Sequence, residues 1–239
     1  MLSELDWVSA GFRWCFQSCR LELTPGLIKN RNWLVAVSLR NPAFSNRWLK
    51  AVISAASLLE GCVTLTLVFE PYIASMDALS TSLSDYKENI LKLEKQRREQ
   101  WNRLNKLIRN VGCNVTLIAW QELCELISAD LVDELDVAFK NPASRVRQLV
   151  QMQVALVHPQ VEDIVVRDRL ADFFLDEIPV LINYYYSIAS GCVDVYPGPQ
   201  APFFWELDGG FLNDELPYAS SLVRKAKPHV YCHSSRVAN

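Results

Sequence analysis

The chain has 239 residues, of which half are hydrophobic and 21% charged, with a net charge of −3. That composition excludes a disordered polypeptide and suffices for one large α/β domain with a substantial core, so residues 1–239 are read as a single domain. A mildly acidic protein has no global attraction for nucleic acid, so any such binding has to come from a local patch. The seven cysteines are odd in number and form no C-x-x-C pair, which suits reduced, buried thiols in a cytoplasmic protein.

The first informative element in chain order is the apolar run Trp33 to Val37, closed by Ser38. It reads as a buried strand of a parallel sheet. Asn41-Pro42 follows and reads as a helix start, with asparagine as the cap and proline in the first turn. Ser38 therefore stands in a strand-to-helix turn, where open α/β sheets hold their ligands. A helix over residues 42–60 and a second strand over 62–69 come next. Together they cover the longest apolar stretch, which Glu60-Gly61 interrupts, so no membrane span is predicted. Glu4 and Asp6 lie where a secretory signal would need basic residues.

A long helix is predicted to end near Asn110, before a third strand over 113–119. Between Tyr86 and Asn110 lie eight of the chain's 24 Lys and Arg residues. At about 100° per residue, all but Arg97 fall within an arc of roughly 160°. Such a cationic face suits a phosphate backbone, which it positions without reading sequence. Helical patterns then fill 121–157, broken near Asn141-Pro142, and continue over 161–190. Short strands are predicted at 192–195 and 202–207, with an irregular end. Strands alternating with helices predict a Rossmann-like parallel sheet with helices on both faces.

Two further residues carry potential chemistry. Phe173, Glu177 and Leu181 share one helix face, and a carboxylate on an apolar face suits a general base. Pro179 sits beside it and removes a helix hydrogen bond. Tyr196-Pro197 follows a short apolar strand, where a hydroxyl could carry a proton. No G-x-S-x-G surrounds Ser38, and the three histidines are His158, His229 and His233. Neither a glycine-rich dinucleotide loop nor a Walker motif occurs, so no cofactor is predicted. His229, Cys232 and His233 are metal-ligand types, but no second cluster completes four ligands, so no metal is predicted. A serine without an evident base fits a substrate that is already activated, such as an ester.

Taken together, these pieces resemble the cyclodipeptide synthases over residues 32–207. The resemblance rests on the strand ending in Ser38 with S-x-x-N-x-x-F-S from there, the basic helix, Glu177-Ile178-Pro179 and Tyr196. It implies the Rossmann-like fold of class I tyrosyl- and tryptophanyl-tRNA synthetase catalytic domains. It also implies an aminoacyltransferase that joins the amino acids of two aminoacyl-tRNAs into a cyclic dipeptide. The reaction would be ping-pong, through aminoacyl- and dipeptidyl-Ser38, with no ATP or metal. Glu177 would hold the substrate amino group, and Tyr196 would assist cyclisation. Leu34, Ala36, Val180 and Leu181, with Trp120, would line the first aminoacyl pocket. Asn41, Phe173 and Pro197 complete the substrate-side set. Lys95, Arg98, Arg103 and Lys106 would hold tRNA. Four residues before the glutamate the family usually has tyrosine, where this chain has Phe173. Tyr196-Pro197 suits one subgroup of the family and Asn41 the other. The same residues leave two alternatives open: a non-catalytic tRNA- or RNA-binding protein on this fold, and a small-ester serine hydrolase.

Overall fold

The computed structural model describes residues 3–9, 11–29, 31–38, 44–58, 65–70, 114–188, 190–197 and 201–236. It also describes 87–88, 91–92, 95, 98–99, 101–102 and 105–106. A seven-stranded sheet organises the chain. Its strands are β1 (Ser3–Ser9), β2 (Phe12–Ser18), β3 (Trp33–Ser38), β4 (Leu65–Glu70), β5 (Val115–Ala119), β6 (Val193–Tyr196) and β7 (Val230–Arg236). The spatial order is β1-β2-β7-β6-β3-β4-β5. From β7 through β5 all neighbours are parallel. β2 joins β7 antiparallel, and β1 joins β2 antiparallel. The Rossmann-like parallel centre agrees with the sequence reading; the antiparallel edge makes the sheet mixed.

The helices are α1 (Pro25–Lys29), α2 (Asn46–Leu58), α3 (Trp120–Cys124), α4 (Ala129–Lys140), α5 (Arg145–Val157), α6 (Ile164–Asn183), α7 (Pro202–Asp208) and α8 (Pro217–Lys225). The described residues from 87 to 106 are helical as well. Starts are set by side chains that accept the free N–H groups of a first turn. Ser144 accepts from Arg147 N at 3.0 Å, and Asp163 from Val165 N at 2.8 Å. At α8 that role falls to Glu134 of α4, which accepts from Ala219 N at 2.9 Å. The α4–α5 break falls at Asn141-Pro142, as the sequence predicts.

Three expectations are corrected. α2 begins at Asn46, with Ser45 Oγ accepting from Trp48 N at 3.3 Å. Asn41 and Pro42 lie outside the described residues and four or more positions upstream of that start. Residues 202–207 form a helix, not a strand. Pro202 opens it, and Phe203, Phe204 and Leu207 turn inward at helical spacing. The C-terminal segment is α8 followed by β7 and is regular.

Each sheet face carries its own core. Leu34, Trp120, Val180, Ile182, Phe203 and Phe204 belong to the core under α3–α8. Trp33, Val35, Val37, Trp14, Phe44 and Trp48 belong to the core under α1 and α2. β3 is thus buried on both sides, which explains its uninterrupted apolar run. Removing one aromatic side chain of these cores from water stabilises the fold by about 4–6 kcal/mol as an upper bound. Trp101 of the basic segment packs against the second core, which places that segment on the α2 face.

Candidate active site

The chain runs β3, β4, β5 outward, then returns through α3–α6 to lay β6 on the opposite side of β3. The strand order reverses between β3 and β6. In open α/β sheets the crevice at the carboxyl ends of two such strands is the binding position, because the connections leave in opposite directions and open a gap. Ser38 is the last residue of β3, paired with Glu70, the last residue of β4. Tyr196 is the last residue of β6. The two predicted residues therefore end the two strands that flank the switch point.

Tyr196 is held from the side. Its ring meets Phe44 edge-on at 5.3 Å between centroids, and Phe44 meets Trp48 of α2 in the same way at 5.3 Å. Trp48 in turn donates from Nε1 to Ser234 Oγ of β7 at 2.6 Å. An edge-to-face chain thus runs from α2 to the tip of β6. Phe44 was part of the S-x-x-N-x-x-F-S pattern, yet the sequence reading gave it no role. Pro197, next in the chain, is half-buried.

Leu34, Trp120 and Val180 meet in one core, with Leu181 partly buried against it. Trp120 opens α3 at the carboxyl end of β5, so the predicted pocket residues come from β3, α3 and α6. Ala36 pairs with Val68 in the β3–β4 ladder, and the two-residue period of β3 puts positions 34, 36 and 38 on one face. Glu177 is buried at 9% exposure on α6, and Phe173, one turn earlier, is buried at 7%. The Phe173 ring meets that of Phe174 at 5.7 Å between centroids, while Ile178 and Val180 belong to the α3–α8 core. α6 continues through the buried Pro179 to Asn183 and passes into a π-helical turn, Tyr184–Ile188. On the exposed side, burial of part of its surface and the like charge of Asp172 push the Asp176 carboxyl up.

Of the predicted tRNA contacts, Lys95, Arg98 and Lys106 are helical and exposed, and none makes an ion pair with a described residue. Lys92 is paired with Glu88 at 2.6 Å. Arg103 and Asn41 lie outside the described residues. The sequence reading missed Arg47 and Lys50 of α2, which line a cleft of about 450 Å³ with Ser54. Their i, i+3, i+7 spacing was the available signal.

Of the residues singled out as metal-ligand types, His229 and Cys232 are otherwise engaged. His229 donates from Nε2 to Tyr185 O at 2.7 Å, and its Nδ1 accepts from the Cys192 thiol at 3.4 Å. Burial lowers the His229 pKa to about 4. Among the described residues no group of three or more His, Cys, Asp and Glu is placed to hold a metal. None of the described helices is long and apolar enough to cross a membrane.

A mixed sheet of this order defines an α/β protein with the fold of the cyclodipeptide synthases, related to class I tRNA synthetases. A cyclodipeptide synthase from Fluoribacter dumoffii superposes with a TM-score of 0.67 at 8% identity, covering 100% of both chains. A Mycobacterium tuberculosis protein, described as demonstrating that cyclodipeptide synthetases are related to type I tRNA synthetases, gives 0.65 at 15% identity over 98% of this chain and 97% of its own. The enzyme from Candidatus Glomeribacter gigasporarum, solved bound to Phe-tRNAPhe, gives 0.57 at 14% identity over 90% and 92%. No family model matches the sequence, and no curated protein matches it.

Proposed function

We propose that this protein is a tRNA-dependent cyclodipeptide synthase of the Tyr-Pro subgroup, using Ser38 as nucleophile. The observation that carries the reading is the placement of Ser38 and Tyr196 at the adjoining strand ends of the topological switch. In this reading the Ser38 hydroxyl attacks the ester carbonyl of the first aminoacyl-tRNA and the tRNA hydroxyl leaves. The side chain of that amino acid seats against Leu34, Ala36, Trp120, Val180 and Leu181. Glu177 takes a proton from its ammonium group, leaving a nucleophilic amine. That amine attacks the ester of the second aminoacyl-tRNA, which releases the second tRNA and leaves the dipeptide on Ser38. Attack in the other direction would strand the dipeptide on tRNA. The new terminal amine then attacks the Ser38 ester, closing the ring and freeing the serine, with Tyr196 assisting proton transfer. Lys95, Arg98, Arg103 and Lys106, extended by Arg47 and Lys50, hold tRNA phosphates. An aminoacyl ester already carries the driving force, so the mechanism calls on no nucleotide.

The test is incubation of the purified protein with charged tRNAs and mass spectrometry for diketopiperazines. Ser38→Ala should bind tRNA and make no product. Product formation by Ser38→Ala near the wild-type rate would overturn the assignment. tRNA binding without product from any charged tRNA would favour the RNA-binding alternative, and cleavage of simple esters alone the hydrolase.

A further inference from the structure

We propose that the cleft at the amino ends of β3, β6 and β7, where Arg31 and Lys227 flank Gly191, is a second site on this protein and binds a phosphate group. Arg31 and Asn32 precede β3, Gly191 and Cys192 precede β6, and Lys227 and Pro228 precede β7. The cleft therefore opens at the end of the parallel sheet opposite Ser38, one strand length away, about 17–20 Å. It holds about 640 Å³, within the roughly 300–1,000 Å³ common for small-molecule sites.

Its chemistry points to an anion. Thr24, Asn32 and Ser190 line it with the two cations, and among the described residues no acidic one does. Arg31 Nη1 donates to Gly191 O and to Pro228 O, each at 2.6 Å. Those bonds fix the guanidinium plane without neutralising its charge. Neither Arg31 nor Lys227 pairs with a carboxylate among the described residues. Burial pulls the Arg31 pKa below its ordinary value, as it does for a cation desolvated without a counter-charge. Two like charges facing one cleft repel each other until an anion lies between them. A fixed guanidinium fork beside an ammonium group matches the several oxygens of a phosphate.

The backbone is shaped for this approach. Gly191 has φ +78°, and a Cβ there would stand 2.7 Å from Lys227 Cβ and 3.6 Å from Arg31 Nη1. Glycine alone lets both cations close on the turn. Ser190 Oγ accepts from Lys227 N at 2.7 Å and pins the segment that leads into β7 against the cleft.

The phosphate could be free or borne on a small molecule, or it could belong to an RNA backbone. The experiment separates these sources. Inorganic phosphate is titrated into the full chain by calorimetry at low ionic strength, with chloride as the control anion. Saturable binding is expected in wild type, at least tenfold weaker in Lys227→Met and unchanged in Lys140→Met, an exposed lysine outside the cleft that pairs with Asp136. Thr24→Val, which leaves both cations, should weaken binding several-fold and serves if Lys227→Met folds poorly by circular dichroism. Uncharged tRNA is then titrated. If backbone phosphate is the occupant, Lys227→Met lowers tRNA affinity and reduces the salt slope by about one. If the phosphate is free, tRNA binding is unaltered by Lys227→Met. Absence of saturable phosphate binding in wild type, or binding undiminished in both cleft variants, overturns the proposal. The same titrations in Ser38→Ala keep this outcome separate from that of the proposed reaction.

Discussion

Replacing Asp208 by asparagine should change how stability responds to pH, in a direction and size that the structure sets. Asp208 ends α7, is 3% exposed, and among the described residues pairs with Arg20 Nη1 at 3.4 Å. Its Oδ2 is buried without a hydrogen bond. Burial lifts its pKa from the ordinary 3.8 to about 6, with Arg20 pulling the other way. The native state therefore holds a proton on Asp208 through a window in which the unfolded chain does not. Stability from this group is full below pH 3.8 and is lost as pH rises through 6, by about 3 kcal/mol. His229 has the opposite sign. Its native pKa of about 4 against an ordinary 6.5 means that stability is lost as pH falls from 6.5 to 4, again by about 3 kcal/mol. In wild type the two slopes largely cancel between pH 4 and 6. In Asp208→Asn the His229 slope stands uncompensated. Urea unfolding followed by tryptophan fluorescence at intervals from pH 4 to 8 reads this directly. Above pH 7 the asparagine variant should be the more stable, by up to about 3 kcal/mol with the Arg20 pairing already counted, and the advantage should vanish by pH 4. A stability difference between the two proteins that stays constant across the range would refute the reasoning.

Two variants probe the proposed reaction. Glu177→Gln keeps the shape of a buried side chain but removes the base, so product should fall by at least roughly a hundredfold while tRNA binding survives. Trapping of labelled aminoacyl-Ser38 should show the first transfer intact and the peptide-bond step stalled; full activity in this variant would remove Glu177 from the mechanism. Neutralising Arg98, Arg103 and Lys106 together should weaken tRNA binding and lower the salt slope by about one per lost phosphate contact, measured by filter binding at several salt concentrations. An unchanged slope would reduce the basic segment to a solvated helix face.

The central strand was legible because its signal is local. Trp33 to Val37 is apolar at every position, which a strand buried on both faces requires, and Ser38 marks its end. Glu177 and Phe173 were legible for the same reason: an i, i+4 spacing places them on one buried helix face. The aromatic run in 202–207 misled, because β-propensity belongs to the side chains, whereas a proline-opened first turn and burial at 203, 204 and 207 made the segment helical. The alternation in β2, with Phe12, Trp14 and Phe16 buried and Arg13 exposed, was present in the sequence. It became a strand by pairing with its hairpin neighbour β1 and with β7, more than 200 residues away. What the sequence could determine by itself was which residues end strands and which helix faces are apolar, because both follow from the periods of the backbone. Strand order is a long-range property. Only the tertiary structure set β6 beside β3, and so brought the strand ends at Ser38 and Tyr196 to one end of the sheet and Arg31 and Lys227 to a cleft at the other.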